Sequence, residues 1–302
     1  MLFPASSEMF IQENEMTVTE LNTPESHLAK EIFPRVVAVI VARNEEDVIE
    51  ETIRAVQFQT HKIEHIVVVD DGSTDKTPEI VKKMGCAIDS LPSHQESLIG
   101  NPQLASRWNV GFKHAEYFKP DYILTLGADH YLPSNYVEEL LKCMNEKIVV
   151  SSGRLDGELY EETMPRGSGR LIDVNFWSVN GGLRFPIVYG WESYILYKAR
   201  SLGYETRSFR DIVSKTRKVS GGVFKAESYG RAMKELGYWS FHAIARSLLL
   251  SIKNPREGYL MMNNFLKHSS REQLDIAQYV NESQKRQFKN RVLKFFRNFG
   301  RR

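Results

Sequence analysis

The chain of 302 residues carries 40 Lys and Arg against 38 Asp and Glu, a formal net charge of +2, with 42% hydrophobic and 26% charged residues. That balance suits a soluble globular protein of one large or two ordinary domains and makes no overall electrostatic case for a nucleic-acid partner. Two cysteines, Cys86 and Cys143, are too few for a disulfide framework or a cysteine metal site and read as buried thiols of a reducing cytoplasm.

No apolar run approaches the roughly 18 residues of a membrane span. The opening MLFPASSEMFIQENEMTVTE lacks the basic and apolar regions of a signal peptide, and residues 1–33 read as an arm. Val36–Val41 is a continuous β-branched run, the pattern of a strand buried on both faces. Val48, Ile49, Ile53 and Val56 then recur at helical spacing. A second strand, Ile66–Val69, delivers the adjacent carboxylates Asp70 and Asp71 into a Gly-Ser-Thr turn. Thr77 and Pro78 open a short helix through Lys83.

Residues 86–103, punctuated by Pro92, Gly100 and Pro102, read as loop. Leu104–Tyr117 is helix-patterned, and Tyr122–Leu126 is a third strand ending in Gly127-Ala128-Asp129-His130. A helix over Pro133–Asn145 and a fourth strand, Ile148–Ser152, follow. Alternating strands and helices predict parallel pairing with right-handed crossovers. Residues 153–190 hold seven glycines and suggest loops and short strands. Trp191–Leu202 reads as a helix closed by Gly203, and the chain beyond about residue 240 reads as helical.

Open α/β sheets bind ligands at the carboxyl ends of their strands, so the fold and the site are expected from the same residues. Val-Ala-Arg-Asn-Glu-Glu after the first strand is not the Gly-x-Gly-x-x-Gly turn of a dinucleotide oxidoreductase, nor the Gly-rich basic loop of a nucleotidyltransferase.

VARNEE, VVVDDGSTD, RWNVGFKHA, LTLGADHYLP and GWESYILYKARSLGY occur in this order between about residues 34 and 240. Together they resemble the family 2 glycosyltransferases. The resemblance implies an α/β fold of GT-A type: a Rossmann-like, mostly parallel sheet flanked by helices, over residues 34–240. Residues 241–302 would form a helical extension. It implies that Asp71 contacts the base or ribose of a nucleotide sugar, beside Asp70, with Ala42, Arg43, Asn44 and Glu45 framing the base. Arg107, with Asn109 on the same helix, would lie near the diphosphate, and Ala128 and Asp129 would lie at the third strand end.

Typical relatives carry Asp-x-Asp there, holding Mn²⁺ or Mg²⁺ against the phosphates. This chain has Gly127-Ala128-Asp129, so Asp129 alone would ligate the cation and hold it weakly. Arg217, in a basic stretch running from Arg207 to Lys218, would pair with the phosphates instead. Glu192 is the expected base, taking the acceptor hydroxyl proton in an inverting displacement. Many relatives have Glu-Asp where this chain has Glu192-Ser193, and a phosphate acceptor would need no base. Each residue also has a plain structural reading: a turn for Asp70-Asp71, a surface Arg107, a helix-capping Asp129 and an exposed helix-start Glu192. Trp191 either stacks on a sugar or packs.

The expected function is transfer from a UDP- or GDP-sugar to a lipid-linked or surface-glycan acceptor at the cytoplasmic membrane face. A polyprenyl-phosphate glycosyl synthase is the alternative, and a non-catalytic nucleotide-binding relative the second. In the tail, Phe288, Val292, Phe295, Phe296 and Phe299 form one helical face among Lys285, Lys289, Arg291, Lys294, Arg297, Arg301 and Arg302. A basic amphipathic helix of this kind lies in an anionic membrane interface, docks on its own domain, or makes a dimer contact.

Overall fold

The computed structural model describes residues 33–217, 223–270 and 272–299, with 223–225 and 291–299 described by backbone alone. Residues 1–32, Lys218, Gly221–Gly222 and Arg301–Arg302, on which some expectations fall, lie outside the described residues, as do the tail side chains Arg291, Val292, Lys294, Phe295, Phe296, Arg297 and Phe299. Residues 34–302 form one compact unit.

The first strand, β1 (Val36–Ala42), is almost wholly buried. Helix α1 (Ile49–Gln57) leads to β2 (Ile63–Asp70), which pairs parallel with β1 so that Ala42 stands beside Asp70. Helix α2 (Thr77–Lys83) leads to β3 (Ala87–Ser90), parallel to β2. That strand falls in the expected loop: four residues, none fully buried, give no hydrophobic run to read. Helix α3 (Leu104–Glu116) returns the chain to β4 (Tyr122–Gly127), parallel to β1 on its other side.

Successive β1 residues alternate between two cores, as strand geometry requires. Val37 and Val39 pack with Trp108, Phe112, Ile123 and Trp177, whereas Val36, Ala38 and Ile40 pack with Ile49, Ile53, Val68 and Leu124.

After β4 come β5 (His130–Tyr131), α4 (Tyr136–Cys143), β6 (Ile148–Leu155), β7 (Arg170–Asp173), α5 (Val174–Gly181), α6 (Trp191–Ser201) and β8 (Glu205–Thr216). The sheet order is β3-β2-β1-β4-β7-β6-β8-β5. Simple alternation is corrected here: β7 lies between β4 and β6 and is antiparallel to both, so β6 keeps the direction of β4 but loses its adjacency. The basic stretch from Arg207 is strand as far as Thr216, with β8 parallel to β6 and antiparallel to β5. Its buried face is Thr206, Ser208 and Ser214, hydroxyls in place of aliphatics, so no alternating hydrophobic pattern marks it.

Helices α7 (Val223–Glu235), α8 (Ser240–Lys253), α9 (Pro255–Lys267) and α10 (Ala277–Phe299) complete the chain. Met233 of α7 shares a core with Ala243, Met261 and Phe265, so packing is continuous across residue 240. The segment before α10 is tied to α6, where the Tyr194 hydroxyl and Lys198 Nζ donate to Asp275 at 2.9 and 2.6 Å. Among the described residues, no helix is long and apolar enough to cross a membrane. Cys86 and Cys143 are free and half-buried rather than buried.

Candidate active site

The carboxyl ends of β2, β1 and β4 lie side by side, bringing Asp70, Ala42 and Gly127 to one edge. The turns beyond them are stitched by their own polar groups. Asn44 takes a left-handed φ of 52°, its amide donates to Ser73 Oγ at 2.9 Å, and its Oδ1 accepts from the Thr74 amide at 2.8 Å. The Glu45 amide donates to Thr77 Oγ1 at 2.8 Å, and the Lys76 amide donates to Glu46 Oε2 at 2.9 Å. Gly72, at φ 72°, is required: a Cβ there would lie 2.5 Å from Ser93 Cα.

The two adjacent acids divide their work. Asp70 Oδ1 accepts from the Ser73 amide at 3.0 Å and shapes the turn. Asp71, 3% exposed, lies one residue past the end of β2. Its Oδ1 accepts from Arg107 Nε at 2.7 Å, and its Oδ2 lies 3.0 Å from His94 Nε2. His94 Nδ1 lies 3.0 Å from Arg43 Nη1, and Arg43 also holds the carbonyls of His94 and Glu96. Arg43 can only donate, so His94 Nδ1 accepts from it, and Nε2 lies close to Asp71 Oδ2 without hydrogen-bond geometry. Arg43, His94, Asp71 and Arg107 thus form one charged chain.

At the β4 end, the Gly127 amide donates to Ser168 Oγ at 2.8 Å, and the same hydroxyl lies 2.5 Å from His130 Nδ1. His130 is buried, and burial together with Arg166 lowers its pKa to about 4, so its ring is neutral and turned into the protein. Asp129 is half-buried, and helix α4 begins only at Tyr136 with Asn135 as its cap, so Asp129 is no helix cap. The Ala128 carbonyl accepts from Thr52 Oγ1 at 2.6 Å, and the Asp129 carbonyl from the Arg217 amide at 3.2 Å. The Arg217 side chain pairs with Glu51.

Glu192 is exposed at the start of α6, its carboxylate 3.1–3.3 Å from where a Cβ on Gly167 would sit. Gly167 adjoins Ser168, whose hydroxyl accepts from the Gly127 amide, so this carboxylate lies toward the end of β4. The buried Arg170 holds that loop, donating to the carbonyls of Arg166, Pro165 and Glu192 at 2.9, 2.7 and 2.9 Å. Burial lowers the Arg170 pKa to about 10, with the Glu192 charge opposing the shift.

One expected residue, Asn109, is engaged elsewhere, and Trp191 takes the packing side of its two readings. The Asn109 amide is spent on Phe185, donating to its carbonyl at 2.9 Å and accepting from its N–H at 2.7 Å, so it pins a loop. Trp191 is 8% exposed and packs on Phe185 with ring centroids 4.9 Å apart, which leaves it no sugar face to offer. His94 and Arg170 are the residues that sequence reading missed: His94 lies in an unpatterned loop, and nothing in the sequence marks Arg170 as buried.

A cavity of about 520 Å³, lined by Glu96, Asn101, Tyr189, Glu227 and Arg231 among others, adjoins the Arg43-held loop. A second, of about 530 Å³, opens at the amino end of β4 beside Arg35 and Asp121, away from these motifs. Among the described residues, no group of three or more His, Cys, Asp or Glu is arranged to hold a metal ion.

The mixed eight-stranded sheet flanked by helices, with acids just past the carboxyl ends of β2 and β4, is a GT-A fold. The fold matches that of a mannosyltransferase, PcManGT from Pyrobaculum calidifontis, solved with GDP-Man and Mn²⁺, at a TM-score of 0.53 and 18% identity, covering 82% of this chain and 74% of that one. It also matches S. aureus TarS solved with UDP, at a TM-score of 0.52 and 18% identity, covering 79% and 77%. In sequence, the chain is 39% identical over 104 residues to an uncharacterized protein of Methanocaldococcus jannaschii, covering 34% of this chain and 39% of that protein. It is 31% identical over 149 residues to the hyaluronan synthase of Streptococcus pyogenes, covering 47% and 34%. The matched stretch is therefore well under half the length of either curated relative. Residues 37–179, a little under half of the chain, match the profile of Glycosyl transferase family 2, a family of enzymes, and carry its domain.

Proposed function

We propose that this chain is an inverting glycosyltransferase using a UDP- or GDP-sugar, with a lipid-linked or surface-glycan acceptor at the cytoplasmic face of a membrane. The observation that carries the reading is the Asp71 carboxylate, buried just past the end of β2 and held between Arg107 and His94. A carboxylate there accepts N–H groups of a base or hydroxyls of a ribose. Arg107 and Arg43, already gathered around it, supply positive charge for the diphosphate.

The donor set suits a cation that arrives with its nucleotide. Asp129 offers one carboxylate, Gly127 none, and His130 is committed to Ser168. Mg²⁺ and Mn²⁺ sites of this kind take one or two carboxylates and complete their shell with phosphate oxygens and water. When bound, the cation would offset charge on the departing diphosphate. Arg217, next to Asp129, would swing from Glu51 to assist. Glu192 would take the proton of the attacking hydroxyl, with Gly167 and Arg170 orienting it. The cavity beside Tyr189 would receive the acceptor. Ser193, where many relatives carry Asp, keeps a polyprenyl-phosphate acceptor in view, since an anionic phosphate needs no base. The C-terminal helix would hold the enzyme on anionic lipid.

Nucleotide release tests the reading, with UDP-sugars and GDP-sugars offered to lipid-linked oligosaccharide or polyprenyl phosphate. Product from one donor class, abolished in Asp71→Ala and reduced at least about 100-fold in Glu192→Gln with a hydroxyl acceptor, agrees with it. Nucleotide binding without turnover on either acceptor would instead identify a non-catalytic relative.

A further inference from the structure

Helix α8 carries an apolar face that the fold leaves bare. Phe241, Leu248, Leu249 and Ile252 are 51, 53, 66 and 80% exposed. At 100° per residue they fall within a single arc of about 100°, opposite the buried Ala243 and Ser247 that dock the helix. Exposed apolar side chains contiguous over several helical turns mark an interaction surface. The face also continues onto α10: the Phe288 ring meets Phe241 at 5.2 Å and Trp239 at 5.6 Å between centroids.

Charge identifies the occupant. Helix α8 contains Arg246 and Lys253, both exposed beside the apolar arc, and no acid. Exposed Arg286 and Lys289 flank Phe288 on α10. A second copy of the chain would set these cations against their own images. Anionic lipid pairs with all of them while accepting the apolar stripe below its headgroups.

We infer that the exposed face of α8, joined to α10 through Phe241 and Phe288, is a membrane-docking surface for an anionic phospholipid bilayer. The inference deepens the membrane reading above, which rests on the tail alone. Two helices joined through Phe241 and Phe288 would set the orientation of the domain on the lipid surface, which a single terminal helix does not.

Cosedimentation of the full chain with phosphatidylcholine vesicles, with and without phosphatidylglycerol, tests it without any donor or turnover, so failure of the transferase reading does not affect the result. The chain should partition onto phosphatidylglycerol-containing vesicles and release as salt rises. The pair Leu248→Ser and Ile252→Ser should lower the partition coefficient about tenfold or more. Both positions are exposed, so thermal melting and nucleotide titration should match wild type. Three outcomes would overturn the inference: no sedimentation of wild type with anionic vesicles, unchanged partition of the pair, or a self-association that the pair abolishes while partition stays constant. The second of these, combined with loss on Lys289→Glu, would return lipid binding to the tail alone.

Discussion

Asp70 and Asp71 are adjacent, both about 3% exposed, and do different jobs, so the same conservative change at each should give different results. Asp71→Asn keeps the shape and removes the charge. It turns the 2.7 Å contact with Arg107 into a neutral one and sets an amide or a poorer acceptor against His94. Charge-assisted hydrogen bonds contribute about 1.5–3 kcal/mol each, and neutral ones about half of that. Arg107 and His94 side chains are 23 and 22% exposed, so water recovers part of the loss. The expected destabilisation is about 2 kcal/mol, read as a lower urea midpoint at unchanged slope. Titration with UDP and GDP should show affinity for the bound nucleotide reduced about tenfold or more. Asp70→Asn retains an oxygen for the Ser73 amide and should cost about 0.5–1 kcal/mol with affinity within about threefold of wild type. Full nucleotide affinity in Asp71→Asn, or a larger loss in Asp70→Asn, would refute the division of roles.

Other consequences are equally direct. Arg170→Met should lower stability by about 2 kcal/mol, because three carbonyls, that of Pro165 buried, lose their donor. By loosening Glu192 it should reduce kcat more than the donor KM, as steady-state kinetics would show. Gly127→Asp rebuilds the acid pair; its Cβ would lie 3.3 Å from Asp129 Oδ1, a crowding that a small rotation of that side chain relieves. Nucleotide titrations should then depend more steeply on Mn²⁺ than in wild type. Burial pulls the Asp75 carboxyl up, but hydrogen bonds from Thr77 and the Glu46 amide outweigh it and leave the pKa below 3.8. The stability this contributes is complete above about pH 4 and is lost as pH falls through the lowered folded value. Asp75→Asn should flatten the urea stability profile in that acid window.

The legible half of the molecule is the half with long apolar strands. Val36–Val41 and Ile66–Val69 announce β1 and β2 because both faces of each are covered, and Asp71 and Asp129 follow from where such strands stop. Beyond β6 the pattern fades for a physical reason. Strand β8 buries Thr206, Ser208 and Ser214, whose hydroxyls are satisfied by nearby carbonyls, so no hydrophobic alternation marks it as a strand. His94 reaches Asp71 only through a turn that Gly72 permits and Arg43 clamps, a tertiary arrangement with no local periodicity. Asn109 shows the converse: a polar residue within a recognised motif that serves the backbone of Phe185 instead of a ligand.

The measurement closest to the central claim is isothermal titration of the full chain with UDP and with GDP, each with and without Mn²⁺, repeated on Asp129→Ala. The account predicts that one nucleotide binds, that Mn²⁺ strengthens it, and that Asp129→Ala removes the gain from Mn²⁺ while leaving weaker, metal-independent binding through Asp71 and Arg107. Binding of neither nucleotide, with or without metal, would contradict it.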